Sequence, residues 1–150
     1  MSRSLPQTAA RDRPENLAVL LREPFMVESE RLHRYFAEHG HPEVRPPHGD
    51  LLQYLDTDGT RVSDLAARAQ VTKQSMAELV LHLERHGYVE RIPDPSDRRA
   101  KLVRATGRGE EVFALAREFV AATEKRWAGQ LGKRKMDQLR ELLIELNAAL

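Results

Sequence analysis

The fold is decided by one stretch, residues Val89 to Arg108, which reads VERIPDPSDRRAKLVRATGR. Two short strand-like runs flank a turn at residues 93–97, where proline fixes φ and aspartate hydrogen-bonds the local backbone. Two short helices precede this hairpin, so the order of elements indicates a wing beside a helix that reads DNA. The return side of the hairpin carries five basic residues and no acid: Arg98, Arg99, Lys101, Arg104 and Arg108.

The composition fits one helical domain without thiol chemistry. The chain has 150 residues, of which 41% are apolar, 31% charged and 5% aromatic, and this is the size of one typical domain. Because there is no cysteine, disulfides, thiolate catalysis, zinc–thiolate sites and cysteine redox sensing are excluded. The net charge is only +1, so any nucleic-acid contact must come from local segregation of charge.

The sequence shows neither a membrane span nor a secretion signal. No apolar run approaches the roughly 20 residues that cross a bilayer, and the first 13 residues are polar, with Arg and Pro. We therefore expect a flexible N-terminal arm over residues 1–13, no membrane partner and a cytoplasmic location.

Residues 14–47 are predicted to form an N-terminal helix and a linker that serve dimerisation. From Leu17 to His39, leucines and aromatic residues recur roughly on one face, as in an amphipathic helix. Pro24 removes one backbone donor and is expected to kink or split this helix. Three prolines between residues 41 and 47 indicate a rigid linker.

Residues 48–105 have the pattern of a winged helix-turn-helix lobe that binds DNA. A short helix is predicted over about residues 48–56, a second is capped by Ser63, and a third begins after Thr72. Gly87 supplies a left-handed cap at the end of the third helix.

Residues 106–150 are predicted to form two C-terminal helices that also serve dimerisation. Thr106 caps the first, Gly129 and Gly132 break it, and a last helix follows. The predicted fold is mainly α with a small β wing: a winged helix-turn-helix domain plus a helical dimerisation region. Because short hairpin strands are not stable alone, we expect a third partner near Arg61 and Val62.

The helix after Thr72 has a polar face suited to reading DNA. Its apolar stripe takes up one side, and the other side of its first turns carries short or flexible polar side chains. Such groups pair with base edges in the major groove, and a helix N-terminus can contact a phosphate. An ordinary solvated helix face gives the same pattern. The candidate DNA-binding residues of this helix are Thr72, Lys73, Gln74, Ser75 and Glu78.

The arginines of the wing favour the DNA-binding interpretation. Arginine is the usual side chain in a narrow minor groove, where the potential is most negative. Asp97 lies within reach of Arg99 or Arg98, and a carboxylate there would fix the direction of a guanidinium. The alternative is a solvated turn with a weak surface ion pair. The candidates in the wing are Asp97, Arg98, Arg99 and Lys101, and which arginine enters the groove stays open.

Several segments together resemble the MarR family of dimeric winged-helix transcriptional regulators. The resemblance covers nearly the whole chain by element order, and the Asp-Pro-Ser-Asp-Arg-Arg wing is its most specific motif. It implies a triangular homodimer with interlocked terminal helices, with the helix after Thr72 in the major groove. It also implies that Asp97 is the orienting acid and Arg99 the minor-groove arginine. The segments are LAARAQVTKQSM (65–76), LERHGYVER (83–91), DPSDRRAK (94–101), and Thr106 with Gly109.

The resemblance further implies a ligand pocket between the dimer core and the DNA-binding lobe. The candidate pocket residues are His33, Phe36, His48 and Leu52, between the first two helices. Plain core or linker packing is the alternative for each of them. Because the chain has no cysteine, we expect a small aromatic or anionic effector rather than an oxidant.

Two positions depart from the family pattern. Glycine is common in the turn of the helix-turn-helix, and Gln70 stands there, so its backbone is expected to carry modest strain. A basic residue is common at the position of Glu78. Since a carboxylate there would repel phosphate, we expect base reading or an outward pose.

These patterns predict a sequence-specific DNA-binding regulator of transcription. It is expected to be a repressor that binds an inverted-repeat operator as a homodimer and is released by a small-molecule effector. The terminal helices carry more apolar surface than a small lobe can cover, although an intramolecular helical layer is the alternative. The second functional hypothesis is a winged-helix protein-interaction module without specific DNA binding, which Glu78 and the near-neutral charge favour.

The sequence offers no site for catalysis, a cofactor or a metal ion. It contains no convincing Ser-His-Asp order, glycine-rich phosphate loop or carboxylate pair, and residues 107–109 open a helix. His82 and His86 have helical spacing, but a metal would need further ligands nearby. We therefore expect no enzyme activity and no cofactor.

Overall fold

The computed structural model describes residues 16–150, and its elements follow the predicted order. The predicted arm over residues 1–13 lies outside the described residues. The architecture is mainly α with a two-stranded wing, which confirms the predicted fold class. A 3-10 turn, Pro46–His48, precedes the second helix. The elements are α1 (Leu17–Glu38), α2 (Gly49–Tyr54), α3 (Val62–Arg68), α4 (Lys73–Arg85), β1 (Val89–Asp94), β2 (Asp97–Ala105), α5 (Gly107–Leu131) and α6 (Lys133–Ala148).

Helix α1 runs through Pro24 without interruption, so of the predicted kink or split at this proline, the split is wrong. The side chain of Asn16 caps the helix by accepting a hydrogen bond from the backbone N–H of Val19, at 3.0 Å. A proline deletes one backbone hydrogen bond. The bonds on both sides remain in this 22-residue helix, and α1 also packs against α5, so the helix stays continuous.

Other boundaries differ from the sequence pattern. Helix α3 begins at Val62, ahead of the predicted cap Ser63, and α2 ends at Tyr54 rather than near residue 56. Helix α5 continues through Gly129 and ends at Gly132, where φ is +85°. A glycine inside a helix costs only about 1 kcal/mol, so Gly129 alone does not stop a long helix.

The turn between α3 and α4 depends on an unusual backbone conformation at Gln70. Its φ is +55°, and it is the only non-glycine residue with a positive φ among residues 16–150. The backbone N–H of Val71 closes the turn by donating to the carbonyl oxygen of Ala66, at 3.0 Å. A left-handed conformation costs an ordinary residue roughly 1–2 kcal/mol, so the strain predicted at Gln70 is present.

The hairpin joins the helix-turn-helix through a third backbone partner. Strands β1 and β2 pair antiparallel, with Val89 opposite Ala105. Thr60 exchanges two backbone hydrogen bonds with Val103, at 2.9 and 2.8 Å. The third partner predicted near Arg61 and Val62 is therefore a single bridge one residue earlier, because α3 already begins at Val62.

The hydrophobic core is centred on the winged lobe and also takes in Phe36 of α1, Val44 of the linker and Val112 of α5. Helix α6 contributes no buried residue to it. Gly109 lets the start of α5 approach the hairpin, since a Cβ there would collide with the carbonyl oxygen of Tyr88. The lobe is thus a packed frame, whereas the terminal helices keep apolar surface exposed. The largest fully buried side chains are Tyr88, Leu51, Leu65, Met76, Leu83, Val44, Val80, Val89, Val103 and Val112.

Candidate nucleic-acid interface

The first turns of α4 expose the side chains that the sequence predicted to read DNA. The buried stripe of this helix is formed by Met76, Val80 and Leu83, which orients the opposite face toward solvent. The predicted residues on that face are all exposed: Thr72, Lys73, Gln74, Ser75 and Glu78. The structure therefore brings this part of the predicted site together as one polar surface.

Two of these residues are already bonded to each other. The hydroxyl of Thr72 accepts a hydrogen bond from the backbone N–H of Ser75, at 3.1 Å, and donates to the hydroxyl of Ser75, at 2.8 Å. This is the predicted cap of α4. In contrast, Lys73, Gln74 and Glu78 form none of the side-chain hydrogen bonds or ion pairs found in residues 16–150. Their polar groups are left available to a ligand.

The tip of the wing presents a second exposed polar surface. A two-residue loop, Pro95 and Ser96, joins the strands. Arg98, Arg99 and Lys101 are exposed, and their side chains form no ion pair with any acid of residues 16–150. The other cations of the hairpin are different, because Arg104 binds Glu90 across the strands and Arg91 binds Glu84 of α4.

Asp97 does not orient an arginine side chain as predicted. Its Oδ1 accepts a hydrogen bond from the backbone N–H of Arg99, at 3.0 Å, and its Oδ2 lies 3.8 Å from the guanidinium of Arg61. A short acid followed two residues later by a free N–H forms a local turn more readily than an ion pair with a long side chain. Asp97 therefore fixes the backbone at Arg99 and leaves the guanidinium free.

Asp94 holds the tip of the wing by more contacts than its sequence context, that of a turn, indicates. Its carboxylate accepts hydrogen bonds from the N–H and the hydroxyl of Ser96, at 2.8 and 2.7 Å. It also binds Arg61, with Nε of Arg61 at 2.7 Å. The Asp-Pro-Ser pattern indicates the local part of this arrangement. The partnership with Arg61, 33 residues away, has no local signal.

The residues predicted to line a ligand pocket lie close together but pack as core. The rings of His33 and Phe36 meet edge to face, with centroids 5.5 Å apart. Phe36, His48 and Leu52 are buried. The ring of His48 stacks on His82 of α4, with centroids 4.5 Å apart. Burial, and then the nearby His82 and His33, lower the pKa of His48 to about 4.

Two cavities lie elsewhere, and none of the four predicted pocket residues lines either of them. The larger, of about 360 Å³, is an open groove between α1 and α5 that includes Leu20, Pro24 and Trp127. The smaller, of about 150 Å³, lies between the end of α2 and the start of α5, with Asp56 and Arg117 in its wall.

An exposed polar helix start beside a basic hairpin, both held on a packed frame, defines a winged helix-turn-helix DNA-binding protein. A model described as MarR family matches residues 44–100. The transcriptional regulator HosA of Escherichia coli O111:H- is 26% identical over 110 residues, which are 73% of this chain and 82% of HosA. The chain belongs to the MarR family of transcriptional regulators.

Solved structures agree with this membership. Transcriptional regulator Tm0710 from Thermotoga maritima has 30% sequence identity and a TM-score of 0.61, over 88% of this chain and 92% of that one. The transcriptional repressor CouR, bound to a 23-mer DNA duplex, has 25% identity and a TM-score of 0.69, over 89% and 93% of the two chains. CouR from Rhodococcus jostii RHA1 bound to p-coumaroyl-CoA has a TM-score of 0.68 at 25% identity, over 88% and 92%.

Family membership also bears on the other expectations. MarR regulators are non-enzymatic DNA-binding proteins, which confirms that the chain is not an enzyme. No helix within residues 16–150 is long and apolar enough to cross a membrane. In the same part of the chain, no group of three or more acidic, histidine or cysteine side chains is arranged to hold a metal ion.

The pKa of Asp94 predicts a pH dependence of stability. The hydrogen bonds from Ser96, followed by the bond from Arg61, lower it from 3.8 to about 2. The unfolded chain therefore binds this proton more tightly than the folded chain. The contribution of Asp94 to stability is complete above about pH 4 and is lost as the pH falls toward about 2.

We expect the melting temperature of Asp94→Asn to fall less than that of the wild type between about pH 4 and about pH 2. Asp58→Asn is the matched control, because Asp58 is exposed and is not among the hydrogen-bonded acids of residues 16–150. Thermal unfolding followed by circular dichroism measures all three proteins. If the melting temperatures of Asp94→Asn and the wild type fell equally between these pH values, the lowered pKa of Asp94 would be contradicted.

Proposed function

We propose that this protein is a repressor that binds an inverted-repeat operator as a homodimer and is released by a small-molecule effector. The observation that carries the proposal is the pair of exposed polar surfaces on one packed lobe: the start of α4, with Lys73 and Gln74, and the tip of the wing, with Arg98 and Arg99. A regulator of this kind acts on chromosomal DNA, so the proposal places it in the cytoplasm.

In this proposal the lobe of residues 48–105 supplies the DNA contacts. The start of α4 enters the major groove, where Lys73 and Gln74 have free donors and acceptors for base edges. Thr72 and Ser75 contribute a hydroxyl pair at a helix N-terminus, which suits a phosphate oxygen. The exposed Glu78 reads a base or points away from the DNA, because a carboxylate is repelled by the phosphates.

The wing reaches the adjacent minor groove in the same proposal. Arg98 and Arg99 lie in the irregular part of the hairpin, between the pairs Asp94–Asp97 and Pro93–Lys101, so strand alternation does not decide which of them enters the groove. Asp97 holds the backbone at Arg99 and not at Arg98, which supports Arg99 as the inserted side chain. Lys101 lies at the next paired position of β2, opposite Pro93, where it can approach a phosphate.

The terminal segments, residues 14–47 and 106–150, form the dimer interface in the proposal. Helix α1 leaves Leu17 and Phe25 exposed by 76% and 67%, and α6 exposes Leu142 and Ile144. A monomer rarely leaves so much apolar surface in contact with water. The open groove beside Trp127 offers a complementary depression for a helix of the second copy. A two-fold dimer would place two α4 helices on successive turns of DNA.

The effector site of the proposal includes His33, Phe36, His48 and Leu52. Nε2 of His33 is a buried atom without a hydrogen-bond partner within residues 16–150, so a ligand that carries a donor group would satisfy it. His48 stacks directly on His82 of α4. A ligand that displaces His48 would therefore move α4 and change the spacing of the two DNA-reading helices.

The second candidate is a winged-helix module that binds proteins and no specific DNA. The near-neutral net charge of +1 and the exposed Glu78 favour it. The two candidates differ in their response to salt, because counterions are released only when cations of the protein meet phosphates.

DNA binding tests the proposed wing directly. We expect Arg99→Ala to weaken binding to a selected operator by about 1–3 kcal/mol, or roughly 5- to 150-fold, because one minor-groove cation is lost. Lys125→Ala is the matched control, since Lys125 is an exposed cation on α5, outside the lobe. Fluorescence anisotropy at several salt concentrations gives the affinity and the salt slope. Equal affinities for the operator and for a shuffled duplex would instead favour the protein-interaction module.

The oligomeric state tests the proposed dimer interface. We expect Leu142→Glu to shift the protein from dimer to monomer and to weaken operator binding at least tenfold, because a charge would be buried between the copies and half of the DNA contacts would be lost. Gln138→Glu adds the same charge at another exposed position of α6 and should leave the dimer intact. Sedimentation velocity measures both. A wild-type monomer, or a dimeric Leu142→Glu, would contradict this interface.

Release of DNA by a ligand tests the proposed effector site. The relative CouR binds p-coumaroyl-CoA, so we expect p-coumaroyl-CoA to release the operator, with coenzyme A alone as the comparison. His33→Ala should reduce the response at least tenfold, because His33 offers the free buried acceptor. His39→Ala, at the exposed end of the same helix, should respond as the wild type. Release that is unchanged in His33→Ala would place the effector elsewhere, and no release by either compound would exclude this ligand class.

A further inference from the structure

One guanidinium connects the beginning of α3 to the tip of the wing. Arg61 is the residue immediately before α3. Its Nε and Nη2 both reach Oδ2 of Asp94, at 2.7 and 2.5 Å, and its Nη2 lies 3.8 Å from Oδ2 of Asp97. The two acids stand at the two ends of the hairpin loop, so Arg61 faces both sides of the turn.

Each of the two acids in turn holds a different part of the wing tip. Asp94 accepts the N–H and hydroxyl of Ser96 in the loop, and Asp97 accepts the N–H of Arg99 on β2. The position of Arg61 is therefore transmitted to the loop through one acid and to the backbone at Arg99 through the other.

We propose that Arg61 and Asp94 are positioning residues for DNA binding: their ion pair sets the direction in which the wing presents Arg99 relative to α4. The proposal rests on the function proposed above, in which Arg99 enters the minor groove. Arg61 and Asp94 act through the wing and need not touch the DNA themselves.

The end of the hairpin needs such a connection. The strand register becomes irregular between Pro93 and Asp94, and Pro93 has no N–H to donate to a ladder. The backbone bridge to the helix-turn-helix is at Val103, near the other end of the hairpin. Because the tip lies beyond both constraints, a side-chain contact has to fix its direction relative to α3 and α4.

The chemistry of the pair is suited to this role. The side chain of Asp94 is only 5% exposed and that of Arg61 is 37% exposed, so solvent screens the pair less than it screens an open surface pair. The hydrogen bond from Nε, with Nη2 against the same carboxylate oxygen, fixes the planar guanidinium in direction as well as in distance. Arg61 also offsets two carboxylates that would otherwise meet the phosphates of DNA without a nearby cation.

A double-mutant cycle with Arg99 tests the proposal. We expect Arg61→Gln to weaken operator binding about tenfold, as does Arg99→Ala, because both remove the same wing contact. If Arg61 acts only through Arg99, the double variant should bind within about twofold of Arg99→Ala alone. If the double variant instead lost affinity by the product of the two single losses, the proposal would be overturned, since Arg61 would then contact DNA independently or stabilise the lobe in general.

Two further variants separate positioning from loss of fold. Asp94→Asn keeps an acceptor for Ser96 and removes the charge that binds Arg61, so it should reproduce the loss and the same lack of additivity with Arg99→Ala. Arg68→Gln is the matched control, because Arg68 lies in α3 and pairs with Asp56, away from the wing. We expect Arg68→Gln to bind operator as tightly as the wild type, and circular dichroism should show all variants folded.

The cycle also distinguishes this proposal from the function on which it rests. Wild-type affinity in Arg99→Ala would overturn the wing contact itself, and the proposed positioning with it. A loss of affinity in Arg99→Ala combined with wild-type affinity in both Arg61→Gln and Asp94→Asn would overturn only the positioning role.

Discussion

The two backbone hydrogen bonds between Thr60 and Val103 connect the parts of the DNA-binding lobe. A hairpin of two short strands is unstable alone, and this bridge gives it a third partner directly before α3. Val103 is buried on the lobe side of the bridge, and Gly109 lets α5 follow close behind. The wing and α4 are therefore parts of one packed body, so a displacement of either element would move the other.

The DNA-binding lobe and the terminal helices differ in how much of their apolar surface the chain itself covers. The lobe buries most of its apolar side chains and pairs about half of its charged side chains internally, and it leaves free polar groups at the start of α4 and the tip of the wing. The first half of α1 and the whole of α6 expose leucines and a phenylalanine. The free polar groups of the lobe suit contact with a charged polymer. The exposed apolar side chains of α1 and α6 suit contact with another apolar surface. Within the lobe, His48 stacks on His82 of α4 and is kept neutral by a pKa of about 4.

Local sequence signals predicted much of this structure because the features concerned are local. Thr72 and Thr106 cap their helices, and the hairpin lies where its turn residues indicated. The left-handed conformation at Gln70 agrees with the strain that the family resemblance implied there. Predictions failed for two different reasons. Pro24 does not split α1, which packs on the distant helix α5. Asp97 forms a local bond to the backbone N–H of Arg99 where an ion pair was expected. The pair of Arg61 and Asp94 spans 33 residues and has no periodicity or motif to reveal it.

Selection of bound duplexes from a random pool tests whether the lobe reads DNA sequence as a symmetric pair. After several rounds with the 150-residue protein, we expect enrichment of an inverted repeat with half-sites about one turn, or roughly 10 base pairs, apart. The same selection with Arg99→Ala should retain the bases that face α4 and lose preference at the flanking minor groove. Recovery of duplexes with no common sequence, or of a single half-site without symmetry, would contradict symmetric reading by a dimer.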